Sequence, residues 1–269
     1  MSRPRSLPRV GPVLVALFFL LAIFGPLLAP QDPEAIDLLR QFEGPSAAHW
    51  LGTGDNGVDL LSVLLHGARL AGVIALWVVL VSAAAGMILG AFAGYVGGRL
   101  DHVLSGVMDL VQSFPGILLN IAILALVARP GVIHLVVALA IPGWVLYARL
   151  ARAEALVLRN AEYVQAARAL GAGPVRVLFR HVMPNLIGPI LIQATTGVGG
   201  VILAEATLSF LGLGPGGQSS WGALLDQGTG VLLRFPHVAF VAGSAIALTV
   251  LGFNLAGDLL RDRLSRESS

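Results

Sequence analysis

The chain has 269 residues, 56% of them hydrophobic and 12% charged, with a mean hydropathy of +0.84 and a formal net charge of +2. Soluble domains carry about a quarter charged residues, so this composition excludes a disordered chain and argues against an ordinary soluble domain. There is no cysteine and all 17 basic residues are arginine, which excludes disulfides, thiolate metal sites, a Schiff-base lysine and a Walker A loop, and the small net charge gives no case for nucleic acid.

Charge-free apolar windows long enough to span a bilayer need about 20 residues. In chain order they are Val10–Ala29, Leu70–Val96, Leu110–Ala128, Pro130–Ala148, Val182–Ala204 and Val238–Gly257. The first is too long for a signal-peptide core, and Gly25-Pro26 follows without a cleavage site, so it reads as an uncleaved helix. The third is expected to begin near Val103, with Asp109 inside it, paired or interfacial. The expected fold is therefore all-α and polytopic, with about six transmembrane helices. Residues 1–69 form an N-terminal helix and an outer loop, and 70–269 form the main transmembrane domain.

Arginines set the orientation. With the N-terminus inside, segments 1–9, 97–102, 149–181 and 258–269 are cytoplasmic, and only Arg40, Arg69, Arg129 and Arg234 remain outside. Both termini are then cytoplasmic. The outer loop 30–69 is acidic, with Asp32, Glu34, Asp37, Glu43, Asp55 and Asp59.

The inner loop from Arg149 to His181 is too large for a connector. No Gly or Pro occurs from Leu150 to Leu170, and Tyr163, Ala166, Ala167 and Leu170 share one helical face. Gly171-Ala172-Gly173-Pro174 then turns the chain, a second short helix starts near Val175, and Pro184 sits near the start of the fifth span. Two readings fit. One is an interfacial helix whose arginines touch lipid phosphates. The other is a docking element for a cytoplasmic partner.

Gln112, Asn120, Gln193 and Glu205 are the polar residues that could line a path through the spans, against interhelical bonding or capping as the plain alternative. Gly197, Gly199 and Gly200 suit close helix packing. The outer loop 206–236 reads as a gate, a docking surface or packing onto the helix tops, with Phe210 and Trp221 as its aromatic anchors. No H-E-x-x-H or G-x-S-x-G occurs, and the scattered histidines suggest no metal site. Gly52-Thr53-Gly54-Asp55 matches the G-x-G-D string of intramembrane aspartyl proteases but lies in a polar outer loop.

Several motifs together resemble a known family. Gln165-Ala166-Ala167, then Gly171 and Met183-Pro184, is similar to the EAA signature of ABC importer permeases. EYVQAARALGA and FRHVMPN resemble the dipeptide/oligopeptide branch. So do Leu51-Gly52-Thr53-Gly54-Asp55 with Asp59, the run LAEATLSFLGLG followed by Ser220-Trp221-Gly222, and the C-terminal FNLAGDLLRDRL. Gln165 stands where that signature has Glu, Val58 where the branch usually has Arg, and Trp50 where it commonly has Pro. Gln165 keeps a hydrogen-bonding tip and loses the charge.

The resemblance implies a non-catalytic permease subunit that pairs with a second permease chain, usually a different one. Its coupling loop at 149–185, through Glu162, Tyr163, Gln165, Ala166, Ala167, Gly171 and Pro184, would seat on one of two cytoplasmic ATPase subunits. ATP and Mg2+ belong to those subunits, and no cofactor is expected on this chain. An extracytoplasmic binding protein would dock on the outer loops, with Phe210, Trp221, Asp55 and Asp59 as candidate contacts. The solute class is dipeptides, oligopeptides or related small solutes, carried across the inner membrane of a bacterium. A membrane-embedded protease and a secondary transporter are the alternatives, though no inverted repeat relates the two halves.

Overall fold

The computed structural model describes residues 10–267. Arg3, Arg5 and Arg9, assigned above to the cytoplasmic side, lie outside the described residues. The longer helices are α1 (Val10–Leu28), α2 (Leu60–Val96), α3 (Gly98–Gln112), α4 (Gly116–Ala125) and α5 (Val132–Leu158). Then follow α6 (Glu162–Ala169), α7 (Pro174–Val177), a π turn (Leu178–Val182), α8 (Met183–Phe210), α9 (Trp221–Gly230) and α10 (Pro236–Glu267). The only β pairing among the described residues is an isolated bridge between Thr53 and Asp59.

Five spans are single helices, and the sixth is the α3–α4 pair, bent by 79°. Pro115 makes this break. It biases Phe114 away from helical angles and offers no N–H to the preceding turn. Ser113 donates back to the Leu110 carbonyl (2.7 Å) as α3 ends.

Two helices outrun their apolar windows. α2 starts at Leu60, ten positions before the expected Leu70, because Asp59 caps it: its Oδ2 accepts from the Ser62 N–H at 2.8 Å. Position 69/70 therefore lies inside a continuous helix. α5 continues past Ala148 to Leu158 because its arginines find carboxylates on α3. Arg149 pairs with Asp109 (2.6 Å), and Arg152 grips Asp101 through Nε and Nη2 (the latter at 2.8 Å). Bidentate pairs of this kind fix geometry as well as adding attraction. The helix expected from Leu150 to Leu170 is thus two helices, parted at Arg159–Ala161.

α2 is the central helix, packed against α1, α3, α5 and α8. Its contact with α5 rests on Gly86, Gly90 and Gly94, one glycine per turn. A Cβ at Gly86 would lie 2.5 Å from the Trp144 carbonyl, and at Gly90 it would overlap the Ala148 backbone. Small residues at this spacing let membrane helices approach, where no hydrophobic force draws them together. Of the α8 glycines expected to serve packing, Gly197 meets Tyr147 and Gly199 meets Phe253, whereas a Cβ at Gly200 would meet open space.

At the end of the bundle away from α6, α9 lies against α8 and α10. Ser220 caps it by accepting from the Gly222 N–H (3.1 Å). Gly222 abuts the Ala206 backbone, and Gly228 sits where a Cβ would be 2.5 Å from the Ala239 nitrogen.

Candidate coupling surface and translocation cleft

At one end of the bundle, α6 buries a single aliphatic side chain and is held by two further side-chain contacts. Val164 is fully buried among Tyr95, Ala151, Ala155, Val177 and Val182. Burying a valine contributes about 1.5–3 kcal/mol. Arg168 lies over the Tyr95 ring, 5.1 Å from its centre, and joins α6 to the end of α2. The Tyr163 hydroxyl donates to the His181 carbonyl (3.2 Å) in the π turn.

With Val164 inward, the face that carries Tyr163, Ala166 and Leu170 turns outward. Tyr163 is 43% and Leu170 90% exposed, and Val175 and Phe179 add further exposed apolar surface. Ala167 is half-buried, and Glu162, Gln165, Gly171 and Pro184 are exposed. Gln165 Nε2 donates to the Asn160 carbonyl (2.9 Å). A carboxylate could not make that bond, so glutamine at this position closes the turn before α6.

The elbow after α6 is a Schellman cap. Ala172 N–H donates to the Ala167 carbonyl (3.0 Å) and Gly171 N–H to the Arg168 carbonyl (2.9 Å), with Gly171 at φ +87°. Pro184 falls in the first turn of α8, directly after the π turn, and offers no N–H to the helical turn that precedes it.

Near mid-bundle a cleft of about 390 Å3 opens between α2, α3–α4, α5 and α8. Gln112 and Asn120 line it with Ser82, Tyr147, Gly197 and Gly200. Ser82 Oγ and Asn120 Oδ1 are buried without a hydrogen-bond partner. Such groups cost free energy unless something fills their valence. Gln193, half-buried on α8, is not among the residues that line this cleft.

Three expectations for the outer residues change. Glu205 is 1% exposed and accepts from Ser209 Oγ (2.7 Å) and Ser220 Oγ (3.0 Å). It therefore ties α8 to α9 and does not line a path, because α9 covers it. Trp221 is 3% exposed, packs edge-on to Phe18 and donates from Nε1 to the Leu64 carbonyl (2.8 Å). It is a packing residue, since α9 lies flat on the bundle and turns this side chain inward. Asp59 is 1% exposed and engages His49 Nδ1 (3.0 Å) while capping α2, so it offers no docking surface. Phe210 is half-buried, and Asp55 is partly exposed in the wall of an outer cavity. No metal-binding group of three or more His, Asp or Glu occurs among the described residues.

Two signals were missed in the sequence. One is the four-residue spacing of Gly86, Gly90 and Gly94 on α2. Val164 was the only aliphatic larger than alanine between Glu162 and Ala169, which marks it as the anchor of a short helix.

Comparison with known proteins gives the same fold. The profile described as "Binding-protein-dependent transport system inner membrane component" matches residues 86–268, and "N-terminal TM domain of oligopeptide transport permease C" matches residues 6–45. The dipeptide transport system permease protein DppC of Alkalihalophilus pseudofirmus is 38% identical over 97% of this chain and 86% of its own length. The probable D,D-dipeptide transport system permease protein DdpC of Escherichia coli is 41% identical over 94% of this chain and 85% of its own. The oligopeptide transport system permease protein OppC of Bacillus subtilis is 36% identical over 97% and 86%. Among solved structures, a chain of the MetNI methionine ABC transporter in an inward-facing conformation superposes with a TM-score of 0.58. It covers 77% of this chain and 96% of that one at 19% identity, a likeness of fold. Neither the protease nor the secondary-transporter alternative finds support in these matches. The chain belongs to the inner-membrane components of binding-protein-dependent transport systems and is a non-catalytic permease subunit of an ABC importer.

Proposed function

We propose that this chain is one of two permease subunits that carry short peptides inward across the inner membrane of a bacterium, with both of its termini cytoplasmic. An extracytoplasmic binding protein delivers the peptide. Two ATPase subunits drive transport, one of them receiving α6 in a surface groove, and the nucleotide and its Mg2+ belong to those subunits. The observation that carries this reading is the build of α6: Val164 anchors it inward and leaves Tyr163, Ala166 and Leu170 presented to a partner. Peptides are the substrate class because the relatives named above are dipeptide and oligopeptide permeases.

Gln112, Asn120 and Ser82 supply the polar wall of the path, where unpartnered amide and hydroxyl groups suit the peptide bonds of a passing solute. Docking of the binding protein falls to residues that are exposed. Trp50 at 73% and Leu39 at 96% lie on the outer loop and replace Trp221 in that role. The test is reconstitution of the full transporter with Val164→Asp. A buried charge should release α6 from the bundle, and the ATPase subunits should no longer co-purify. Undiminished uptake of a labelled dipeptide by that variant would refute the coupling assignment.

A further inference from the structure

Two cavities of about 250 and 290 Å3 open on the outer face. They share Pro33, Glu34, Gly217, Gln218 and Ser219 in their walls, so they form one continuous cleft. Asp55 belongs to the first cavity, and His66 and Arg69 to the second. The cleft therefore has the Asp55 carboxylate toward one end, the Arg69 guanidinium toward the other and the Glu34 carboxylate in the wall that the two cavities share.

Among the described residues these charges have no ion-pair partner, although Asp55 Oδ1 accepts from the Asn56 N–H (2.9 Å). Arg40, Arg149 and Arg152 each reach a carboxylate, whereas no ion pair joins Glu34, Asp55 or Arg69 to any residue. His66 Nδ1 is engaged by the Ser62 carbonyl (2.9 Å), which fixes the ring beside Arg69. Beside Glu34 the shared wall is polar and uncharged, with Gln218 and Ser219.

This pattern selects among ligand types. A divalent cation would use the carboxylates and be repelled by Arg69. A phosphate would use Arg69 and be repelled by the carboxylates. A molecule with an ammonium at one end and a carboxylate at the other satisfies both, the carboxylate meeting the planar guanidinium. The position also fits a path. The second cavity touches Val73 on α2 and Val132 on α5, and the central cleft touches Val78 and Leu139 on the same helices. At 1.5 Å rise per residue the two are about 8–10 Å apart along these helices.

We infer that the outer cleft is a receiving site for the charged termini of a short peptide, with the ammonium against Glu34 and Asp55 and the carboxylate against Arg69. This rests on the peptide reading above. The site would take a peptide from the binding protein and pass it toward Ser82 and Asn120.

The experiment measures binding of three probes, Ala-Ala, N-acetyl-Ala-Ala and Ala-Ala amide, to the permease–ATPase complex. The complex sits in vesicles of phosphatidylcholine and phosphatidylglycerol. Phosphatidylethanolamine is omitted because its headgroup also carries an ammonium and an anion. The unmodified complex should prefer Ala-Ala over either capped probe by about tenfold or more. Arg69→Gln should bind Ala-Ala and its amide equally. Glu34→Gln with Asp55→Asn should bind Ala-Ala and its acetylated form equally. Absence of binding, or capping selectivity that survives in these variants, overturns the proposal. Uptake of Ala-Ala by the complete transporter separates the two claims. Transport without the binding pattern defeats the cleft alone, and no transport of any peptide defeats the reading beneath it.

Discussion

Gly171→Val isolates the coupling elbow. Gly171 has φ +87°, and an added Cβ there would meet nothing within 4 Å. The substitution therefore causes no clash, and its whole effect runs through backbone strain. An L-residue in this region costs about 1–2 kcal/mol, and a β-branched one reaches the upper part of the 1–3 kcal/mol range for strained positions. At about 1.4 kcal/mol per tenfold, the loop would hold its native turn roughly 10–100 times less favourably. That turn carries the two capping hydrogen bonds that fix α6 relative to α7. Membrane insertion should be unaffected, because no transmembrane contact involves Gly171. Uptake of a labelled dipeptide in proteoliposomes should fall to near background, with Gly171→Ala intermediate and Gly171→Asn nearest to the unmodified chain, since asparagine tolerates positive φ. Unchanged uptake by Gly171→Val, with the ATPase subunits still bound, would falsify the role of the elbow.

A reporter fused after Arg159 should read as cytoplasmic and one after Gly217 as external, and reversal at either site overturns the orientation. Trp221→Ala removes a buried indole, which costs about 3–5 kcal/mol, so basal and binding-protein-stimulated ATPase activity should fall together. Trp50→Ala removes an exposed side chain and should lower only the stimulated activity, and equal loss in both conditions would show that it does not dock.

The number of spans was legible because twenty-odd apolar residues without charge have few other solutions in water or lipid. Helix ends were not legible for one reason in two places. A charge ends an apolar window without ending a helix when it finds a partner, as Arg149 and Arg152 do on α3, or when a cap farther along starts the helix, as Asp59 does ahead of Arg69 on α2. The face of α6 was legible from its spacing, but its direction was not. Tyr163 and Leu170 look like the buried side of an amphipathic helix, and only Val164, set against Tyr95, shows which side the bundle holds. Trp221 failed for the opposite reason. A tryptophan in a glycine-rich outer loop suggests an exposed anchor, and nothing nearby in the sequence indicates that Phe18 and Leu64 enclose it. The polar path was half legible: Gln112 and Asn120 share one cleft, while Glu205 serves as an acceptor for two serines.

From Pro174 to Phe210 the chain runs 37 residues without leaving helical geometry. At 1.5 Å per residue that is a rod about 55 Å long. Its inner end starts three residues after Gly171, and its outer end is fastened to α9 through Glu205 and Ser220. A tilt of about 10° around the rod's middle moves each end by about 5 Å, in opposite directions. A lever of this kind needs no relay of side chains through the membrane. Under the coupling role proposed for α6, a push there would arrive at α9 as a pull, and the π turn at Leu178–Val182 would be the soft joint that sets how much of the push is lost.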